Sequence, residues 1–138
     1  MANFLQQLRQ RIFGKPQPVR SFTLPPKPEP EPEEISVPEL TVAELQQALA
    51  SAQPPLVLDV REPYEWRQVH IPFALHMPMN DVPQRLAELP QRDAIVVICA
   101  HGSRSYDVAG YLIEQGYQAS SLTGGINQWA RAGGEISQ

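Results

Sequence analysis

Cysteine is almost absent from this 138-residue chain, since Cys99 is the only one, and histidine is nearly as scarce. A single cysteine excludes an internal disulfide framework and the cysteine-rich class of zinc site. The three histidines, His70, His76 and His101, are too scattered along the sequence to indicate a metal cluster. No apolar stretch approaches the roughly 20 residues that cross a bilayer. We therefore expect no metal, no other cofactor and no membrane-spanning helix.

Acidic residues are missing from the first part of the chain. Residues 1–27 carry five basic side chains and no acid, which gives +5, whereas residues 28–138 carry six arginines against fifteen acids, which gives −9. The larger part of the chain would repel phosphate, so we expect no broad surface for nucleic acid. A lone thiol stays free most readily in a reducing compartment, and the composition therefore favours a cytoplasmic protein.

Two segments precede the part of the chain that can form a core, and together they make up residues 1–34. Apolar side chains recur at helical spacing in residues 3–13, which predicts a short amphipathic helix. Residues 16–34 hold seven prolines and four glutamates, a composition typical of an extended linker. The basic helix would lie on an anionic membrane surface, dock in a groove of a partner protein, or form a solvated tail.

From residue 35 to residue 138, strand-like and helix-like segments alternate. Thr41 and Glu44 form a capping-box pattern at the start of a helix, Pro63 suits the first turn of another, and Gly116 is typical of a helix end. The patterns predict helices over residues 41–50, 63–68, 83–89, 105–115 and 126–132, and strands over residues 56–60, 74–77, 94–99 and 118–122. Such alternation predicts an α/β fold with a mostly parallel sheet and helices on both faces.

Cys99 ends a run of apolar, mostly β-branched residues and opens a short loop that leads into a helix. In parallel sheets, functional groups gather at the carboxyl ends of the strands. Backbone N–H groups converge at such a turn and the helix dipole favours negative charge, so we expect a lowered thiol pKa and a thiolate near neutral pH. The alternative is that Cys99 is a buried hydrophobic residue at the end of a core strand.

The residues after Cys99 favour the thiolate. Gly102 permits a tight backbone, and Arg104 would bring a permanent positive charge back towards the sulfur. A cysteine that only fills a core needs neither feature. The sequence therefore predicts that the chemistry of the chain takes place in this loop.

Four segments resemble, in order, the motifs of the rhodanese family of sulfurtransferases. Residues 58–62 resemble the LDVRE signature, residues 70–72 resemble the centre of the GHIPGA segment, and residues 123–129 resemble the G-G-x-x-x-W signature. Cys99 and Arg104 have the family's spacing, with four residues between them. Together the motifs span roughly residues 35–134. The resemblance implies a rhodanese-like fold with a five-stranded, mostly parallel sheet.

The same resemblance implies the chemistry of the loop. The Cys99 thiolate would take the outer sulfur of a small donor, thiosulfate or a persulfide, and hold it as a persulfide. Because no second cysteine exists, the acceptor would be an external thiol or a cysteine of another protein. Asp59 and Arg61 would support the loop from the same end of the sheet, and Arg104 would contact the loop or the donor. The residues that would bind the persulfide are Ala100, His101, Gly102, Ser103, Arg104 and Ser105.

Other positions have simpler interpretations. His101 is attractive as an acid or base, but sulfur transfer to a thiolate needs little proton transfer, so a solvent-facing histidine is favoured. Trp66 and Trp129 have apolar neighbours in helical patterns and are predicted to be packing residues. Val69 and Phe73 stand where the family usually has glycine, so the backbone there must take an ordinary conformation.

Two other functions fit part of the pattern. Phosphatases with a related fold also place a cysteine and an arginine around an anion, but five residues separate the pair, whereas four separate Cys99 from Arg104. Many rhodanese-like domains are interaction modules without catalysis, and those often lack the cysteine that this chain has. Sulfur transfer is therefore favoured over both alternatives.

Overall fold

A computed structural model describes residues 24–28 and 35–138 of the chain. Residues 24–28 are exposed and form neither helix nor strand. The predicted amphipathic helix over residues 3–13 and the rest of the predicted linker lie outside the described residues. The folded unit is Ile35–Gln138.

Strands and helices alternate along this unit, as predicted. The strands are β1 (Glu39–Leu40), β2 (Leu56–Asp59), β3 (Leu75–His76), β4 (Ile95–Ile98) and β5 (Ala119–Leu122). The α-helices are α1 (Val42–Leu49), α2 (Pro63–Gln68), α3 (Ser103–Glu114) and α4 (Gly125–Arg131), and Met79–Glu88 forms a 3₁₀ segment. Within residues 24–28 and 35–138, no helix has the length and hydropathy needed to cross a membrane.

The strands form one five-stranded parallel sheet in the order β1-β5-β4-β2-β3. The central strand β4 pairs with β2 on one side and with β5 on the other. Both β2 and β4 are largely buried, which explains why their sequences are continuous apolar runs rather than alternating patterns. The carboxyl ends of β2, β4 and β5 therefore lie side by side at one edge of the sheet, and the α/β prediction is confirmed.

Helices cover both faces of the sheet and divide the core into two layers. α3 and the 3₁₀ segment pack on one face, whereas α1 and α4 pack on the other. Successive strand residues face opposite sides, so Ile95, Val97 and Cys99 share the layer of α3, while Val96 and Ile98 belong to the other layer. Cys99 therefore lies in the layer of the helix that follows its loop.

Local signals at two helix starts behave as the sequence predicts. The Oγ1 atom of Thr41 accepts the N–H of Glu44 at 3.1 Å, and the Glu44 carboxylate accepts the N–H of Thr41 at 3.4 Å, which completes the capping box of α1. Helix α2 begins at Pro63. Val69 is extended, and no described residue other than glycine has a positive φ, so Val69 and Phe73 take ordinary backbone conformations.

Three elements differ from the prediction. The helix predicted over residues 83–89 is part of the longer 3₁₀ segment, which begins at Met79, is kinked at Arg85 and ends at Glu88. Pro83 lies inside the segment, where it lacks the N–H that an α-helix needs. Helix α3 begins at Ser103 rather than at residue 105, because Gly102, with a φ of 111°, turns the chain directly into the helix. The strand β1 has only two residues, too few for a periodic pattern.

Candidate active site

Cys99 lies at the carboxyl end of the central strand. β4 ends at Ile98 and α3 begins at Ser103, so a loop of four residues connects them. The cysteine is free and only 1 % exposed. The predicted position of the thiol, at a strand end and before a helix, agrees with the fold.

The sulfur of Cys99 is surrounded by hydrogen-bond donors. The backbone N–H of Gly102 lies 3.0 Å from Sγ, and the backbone N–H of Ser105, in the first turn of α3, lies 3.3 Å from it. The Ser105 hydroxyl oxygen lies 3.4 Å from Sγ. The tight turn that brings these donors to the sulfur depends on Gly102, because a residue with a side chain would be strained at a φ of 111°.

These contacts determine the pKa of the thiol. Burial raises the pKa of Cys99, because it removes water from the thiolate. Hydrogen bonds from the Ser105 side chain and from the backbone N–H groups of Ser105, Gly102 and His101 oppose that effect, and the resulting pKa is below the ordinary thiol value. Cys99 thus combines burial in a core layer with stabilisation of its thiolate, so both interpretations of this residue hold in part.

The segment after β5 contacts the backbone of the cysteine loop. The N–H of Ile126 donates to the carbonyl of Cys99 at 2.8 Å, and the N–H of Asn127 donates to the carbonyl of Ala100 at 3.3 Å. A side chain at Gly125 would collide with these two carbonyl oxygens. The G-G-x-x-x-W segment therefore positions the cysteine loop through the first turn of α4.

Arg104 pairs with a side chain that the sequence did not indicate. Its Nη1 and Nη2 atoms each donate to the carboxylate of Glu65 at 2.8 Å, a two-point ion pair between α3 and α2. The hydrogen bonds that Arg104 donates to Glu65, and more weakly the charge of a Cys99 thiolate, raise the pKa of Arg104. The hydrogen bonds of the guanidinium therefore go to Glu65 and not to the sulfur.

Glu65 is a residue of the site that the sequence did not reveal. The hydrogen bond from Arg104 lowers the pKa of Glu65 to about 2, against the opposing effect of partial burial, and the backbone N–H of Glu62 contributes to the lowering. Its carboxylate thus connects the start of α2 to the cysteine loop. Because 39 positions separate Glu65 from Arg104, no local pattern could have indicated this pair.

Asp59 and Arg61 form a closed ion pair at the end of β2. The Asp59 carboxylate accepts three hydrogen bonds from the Arg61 side chain at 2.7–3.0 Å and a fourth from its backbone N–H at 3.0 Å. The remaining donors of Arg61 go to the carbonyls of Glu65 and Val69. Both residues of the pair are almost fully buried, so the contacts favour the structural role that the sequence suggested for Asp59.

The other loop residues differ in exposure. His101 and Ser103 are exposed, and the amide nitrogen of Asn127 lies 3.1 Å from Nδ1 of His101. Ala100 is half-buried, whereas Ser105 is fully buried, with its hydroxyl 2.8 Å from that of Ser121 on β5. The sequence reasoning missed Ser121, although a serine two positions after Ala119 falls on the buried α3 side of β5 by strand alternation.

The two tryptophans have different surroundings. Trp129 is buried in the layer of α1 and α4, as predicted, and its ring N–H donates to the carbonyl of Glu135 at 2.9 Å. Trp66 is only half-buried and stacks with two imidazoles, with ring centroids 4.0 Å from His70 and 4.8 Å from His76. Trp66 therefore packs against its surroundings as predicted, but the aromatic rings that it stacks on are histidines, which a helical pattern does not show.

The described part of the chain brings together no cluster of histidine, cysteine, aspartate and glutamate that could hold a metal ion.

The sequence of the folded unit matches that of a known protein family. The family model for the rhodanese-like domain matches residues 41–132, which include α1, the cysteine loop and α4. The chain belongs to the rhodanese family.

Individual relatives of this rhodanese agree with the assignment. A sulfurtransferase of Allochromatium vinosum is 42% identical over 96 residues, which cover 69% of this chain and 90% of that protein. The thiosulfate sulfurtransferase GlpE of Tolumonas auensis is 33% identical over 94 residues, covering 66% of this chain and 89% of that protein. A crystal structure of a rhodanese-like domain protein from Staphylococcus aureus matches with a TM-score of 0.67 at 31% identity, covering 74% of this chain and all of that one.

The names of these relatives support sulfur transfer as the general activity of this rhodanese. The shared region covers the folded unit from α1 to α4, and it contains every contact of Cys99 described above. Sulfur transfer therefore has its candidate nucleophile and its candidate anion-binding loop within the region that this chain shares with its relatives.

Proposed function

We propose that this rhodanese transfers sulfur by way of a persulfide on Cys99. The Cys99 thiolate attacks the outer sulfur of thiosulfate and forms a new sulfur–sulfur bond. The original sulfur–sulfur bond of the donor breaks, and sulfite leaves with the bonding electron pair. The negative charge of the thiolate passes to the outer sulfur of the persulfide. A small persulfide donor reacts in the same way, with a thiolate as the leaving group.

The second half of the reaction removes that sulfur. A nucleophile attacks the outer sulfur, the bond to Sγ breaks, and Cys99 leaves as the thiolate with which the cycle began. Cyanide serves as this nucleophile in an assay and becomes thiocyanate. In the cell we propose an external thiol or a cysteine of another protein, since the chain has one cysteine and cannot resolve its own persulfide. We propose a cytoplasmic location, because its reducing conditions keep the Cys99 thiol free.

The observation that carries this proposal is the convergence of two backbone N–H groups on Sγ, from Gly102 at 3.0 Å and from Ser105 at 3.3 Å. These donors are fixed in place and stabilise an anion without reorganising, which favours both the thiolate and the negative charge of a persulfide. The lowered pKa of Cys99 supports the same chemistry.

In this proposal Arg104 contributes positive charge near the loop and makes no direct contact with the sulfur. Its guanidinium is bound to Glu65, so the backbone N–H groups make the direct contacts to the sulfur. The ion pair compensates the charge of Arg104 and leaves a weaker positive field at the loop than a free arginine would give. We therefore expect Arg104 to raise the rate moderately.

The alternatives make different demands on the loop. A phosphatase needs a wider loop than the four residues that separate Cys99 from Arg104. An interaction module needs no stabilised thiolate, so the donors around Sγ would serve no purpose in it. The geometry of the loop therefore favours sulfur transfer over both.

A two-step assay tests the proposal. The reduced protein, mixed with thiosulfate alone, should release sulfite equivalent to one per chain and then stop, because the persulfide has no acceptor. Addition of cyanide should convert the stored sulfur to thiocyanate and restore turnover. A glutathione persulfide donor should release glutathione in place of sulfite, and after the remaining donor is removed, cyanide should again convert the stored sulfur to thiocyanate. If the folded protein releases no sulfite and takes up no sulfur from either donor, the result would favour an interaction module.

A further inference from the structure

Two buried serines meet beside the cysteine, and only one of them belongs to the loop. Ser105 is in the first turn of α3, whereas Ser121 is on β5, and their hydroxyl oxygens are 2.8 Å apart. Neither side chain reaches solvent, since the two residues are 0% and 1% exposed. A buried hydroxyl proton needs an acceptor, so the direction of each hydrogen bond here can be worked out by counting protons.

The Ser121 hydroxyl has the simpler surroundings of the two. Within residues 24–28 and 35–138, the Ser105 oxygen is the one hydrogen-bond partner of the Ser121 hydroxyl. If Ser105 donated to Ser121, the proton of Ser121 would be buried without an acceptor. The favoured arrangement therefore has Ser121 donating to Ser105, which leaves the single proton of Ser105 free for another acceptor.

Ser105 then has two acceptors to choose from. The carbonyl of Gly102 lies 3.1 Å from its oxygen, and Sγ of Cys99 lies 3.4 Å from it. When Cys99 is a thiol, its S–H donates to the Ser105 oxygen, and Ser105 donates to Gly102. When Cys99 is a thiolate, a full negative charge attracts the Ser105 proton more strongly than a carbonyl does.

The Gly102 carbonyl can release Ser105 at little cost. It also accepts the N–H of Tyr106 at 3.2 Å, as the first backbone hydrogen bond of α3, so it keeps a partner when the hydroxyl turns away. The rotation from carbonyl to sulfur therefore leaves no buried polar group unsatisfied.

We propose that Ser121 is a positioning residue for the nucleophile: its hydroxyl donates to Ser105 and thereby directs the single proton of Ser105 to the Cys99 sulfur. The residue acts through Ser105 and makes no contact with the reacting atoms. The catalytic consequence rests on the function proposed above. The effect on the thiol itself does not, because it concerns ionisation and not sulfur transfer.

The neighbouring residue provides a matched control. Successive residues of a strand face opposite sides of the sheet, so the side chain of Ser120 lies on the face opposite to that of Ser121. Ser120→Ala removes a hydroxyl from the same strand without touching Ser105. It should leave the ionisation of Cys99 unchanged.

The test is the titration of the thiolate, followed by its ultraviolet absorbance as the difference between each protein and its own Cys99→Ala counterpart. In Ser121→Ala, the midpoint should move to higher pH, which corresponds to a fall of about two- to fivefold in the acid dissociation constant of the thiol. Ser105→Ala should give a larger shift, because it removes the direct donor. A folded Ser121→Ala protein that titrates like the wild type would overturn the proposal.

Two further comparisons separate positioning from simple packing. In a Ser105→Ala background, Ser121→Ala should produce no additional shift, and an equal shift in both backgrounds would show that Ser121 does not act through Ser105. If the alanine variant does not fold, Ser121→Thr and Ser121→Val form a nearly isosteric pair. The threonine variant should titrate at lower pH than the valine variant, and equal midpoints would contradict the proposal.

Titration also separates this proposal from the function proposed above. If the wild type transfers no sulfur but the midpoint moves in Ser121→Ala, the positioning role stands and the sulfurtransferase function fails. If the wild type transfers sulfur and the midpoint does not move, the function stands and the role of Ser121 fails.

Discussion

The ends of β2 and β4 lie side by side in the sheet, and each places a buried acidic group at the same edge. Asp59, the last residue of β2, pairs in register with Ile98, the last residue of β4, and Cys99 follows directly. The carboxylate of Asp59 is closed by the guanidinium of Arg61, whereas the sulfur of Cys99 is met by backbone N–H groups and one hydroxyl.

This difference separates stability from chemistry. At the end of β2, charge is matched by opposite charge, and the carboxylate accepts four hydrogen bonds from Arg61. At the end of β4, an ionisable sulfur accepts hydrogen bonds from N–H dipoles and, among the described residues, has no full opposite charge in contact with it. Neighbouring positions in one sheet can therefore serve the fold in one case and a reaction in the other.

Removal of the sulfur should abolish the reaction and leave the fold intact. Cys99→Ala should reduce thiosulfate:cyanide sulfur transfer by at least about 1,000-fold, because the chain has no other thiol to attack the donor. Stability should change little, since alanine keeps part of the packing and removes no ion pair. Steady-state thiocyanate formation and urea unfolding measure the two quantities. An active, folded variant would contradict the assignment of the nucleophile.

Removal of the carboxylate should have the opposite pattern. Asp59→Ala leaves the buried Arg61 without its partner and should lower the free energy of unfolding by about 3–5 kcal/mol. Arg85→Ala, which removes one member of an exposed ion pair with Glu88, is the control and should stay close to the wild type. Chemical denaturation compares the three proteins. Equal stability of the Asp59 and Arg85 variants would mean that the buried pair has no special structural role.

Arg104 on α3 pairs with Glu65 on α2, and its removal should have an intermediate effect. Arg104→Ala removes a positive charge at the start of α3 and leaves the Glu65 carboxylate without its ion partner, so kcat/KM for thiosulfate should fall about 10-fold. Adding Glu65→Gln removes that negative charge and should restore part of the activity. Kinetics of the two single variants and the double variant form a complete cycle. A double variant no better than Arg104→Ala would show that the charge of Glu65 does not matter.

The pH dependence of stability gives the smallest expected effect. Cys99 has a lower pKa in the folded protein than an ordinary thiol has in the unfolded chain. Between those two pKa values the unfolded chain binds more protons, so the stability of the reduced protein should rise with pH in that window and be lost as pH falls through the folded pKa. Cys99→Ala should lack this slope. Urea midpoints measured across neutral and mildly alkaline pH compare the two, and parallel curves would contradict the lowered pKa.

Much of the fold follows from local sequence signals. The strand runs, the capping box at Thr41 and the helix that begins at Pro63 were predicted because each depends on residues close together in the chain. The 3₁₀ segment around Pro83 was not, since a proline at the start of an α-helix and one inside 3₁₀ turns look the same in sequence. The strand β1 was too short to form a pattern.

The candidate site divides in the same way. The position of Cys99 and the tight turn at Gly102 follow from one continuous segment, and the sequence predicted both. Glu65 and Ser121 reach the loop only after α2 and β5 have packed beside it, so their contacts depend on the tertiary fold. The destination of the Arg104 side chain was missed for the same reason: its partner is on another helix.

Intact mass spectrometry can detect a sulfur atom carried by Cys99. The reduced protein is incubated with thiosulfate or glutathione persulfide without an acceptor, and the modified peptide is identified after digestion under conditions that preserve persulfides. We predict a mass increase of one sulfur atom at Cys99, its removal by cyanide or dithiothreitol, and no increase in Cys99→Ala. No added sulfur on folded wild-type protein from either donor, or the same addition in Cys99→Ala, would contradict the account.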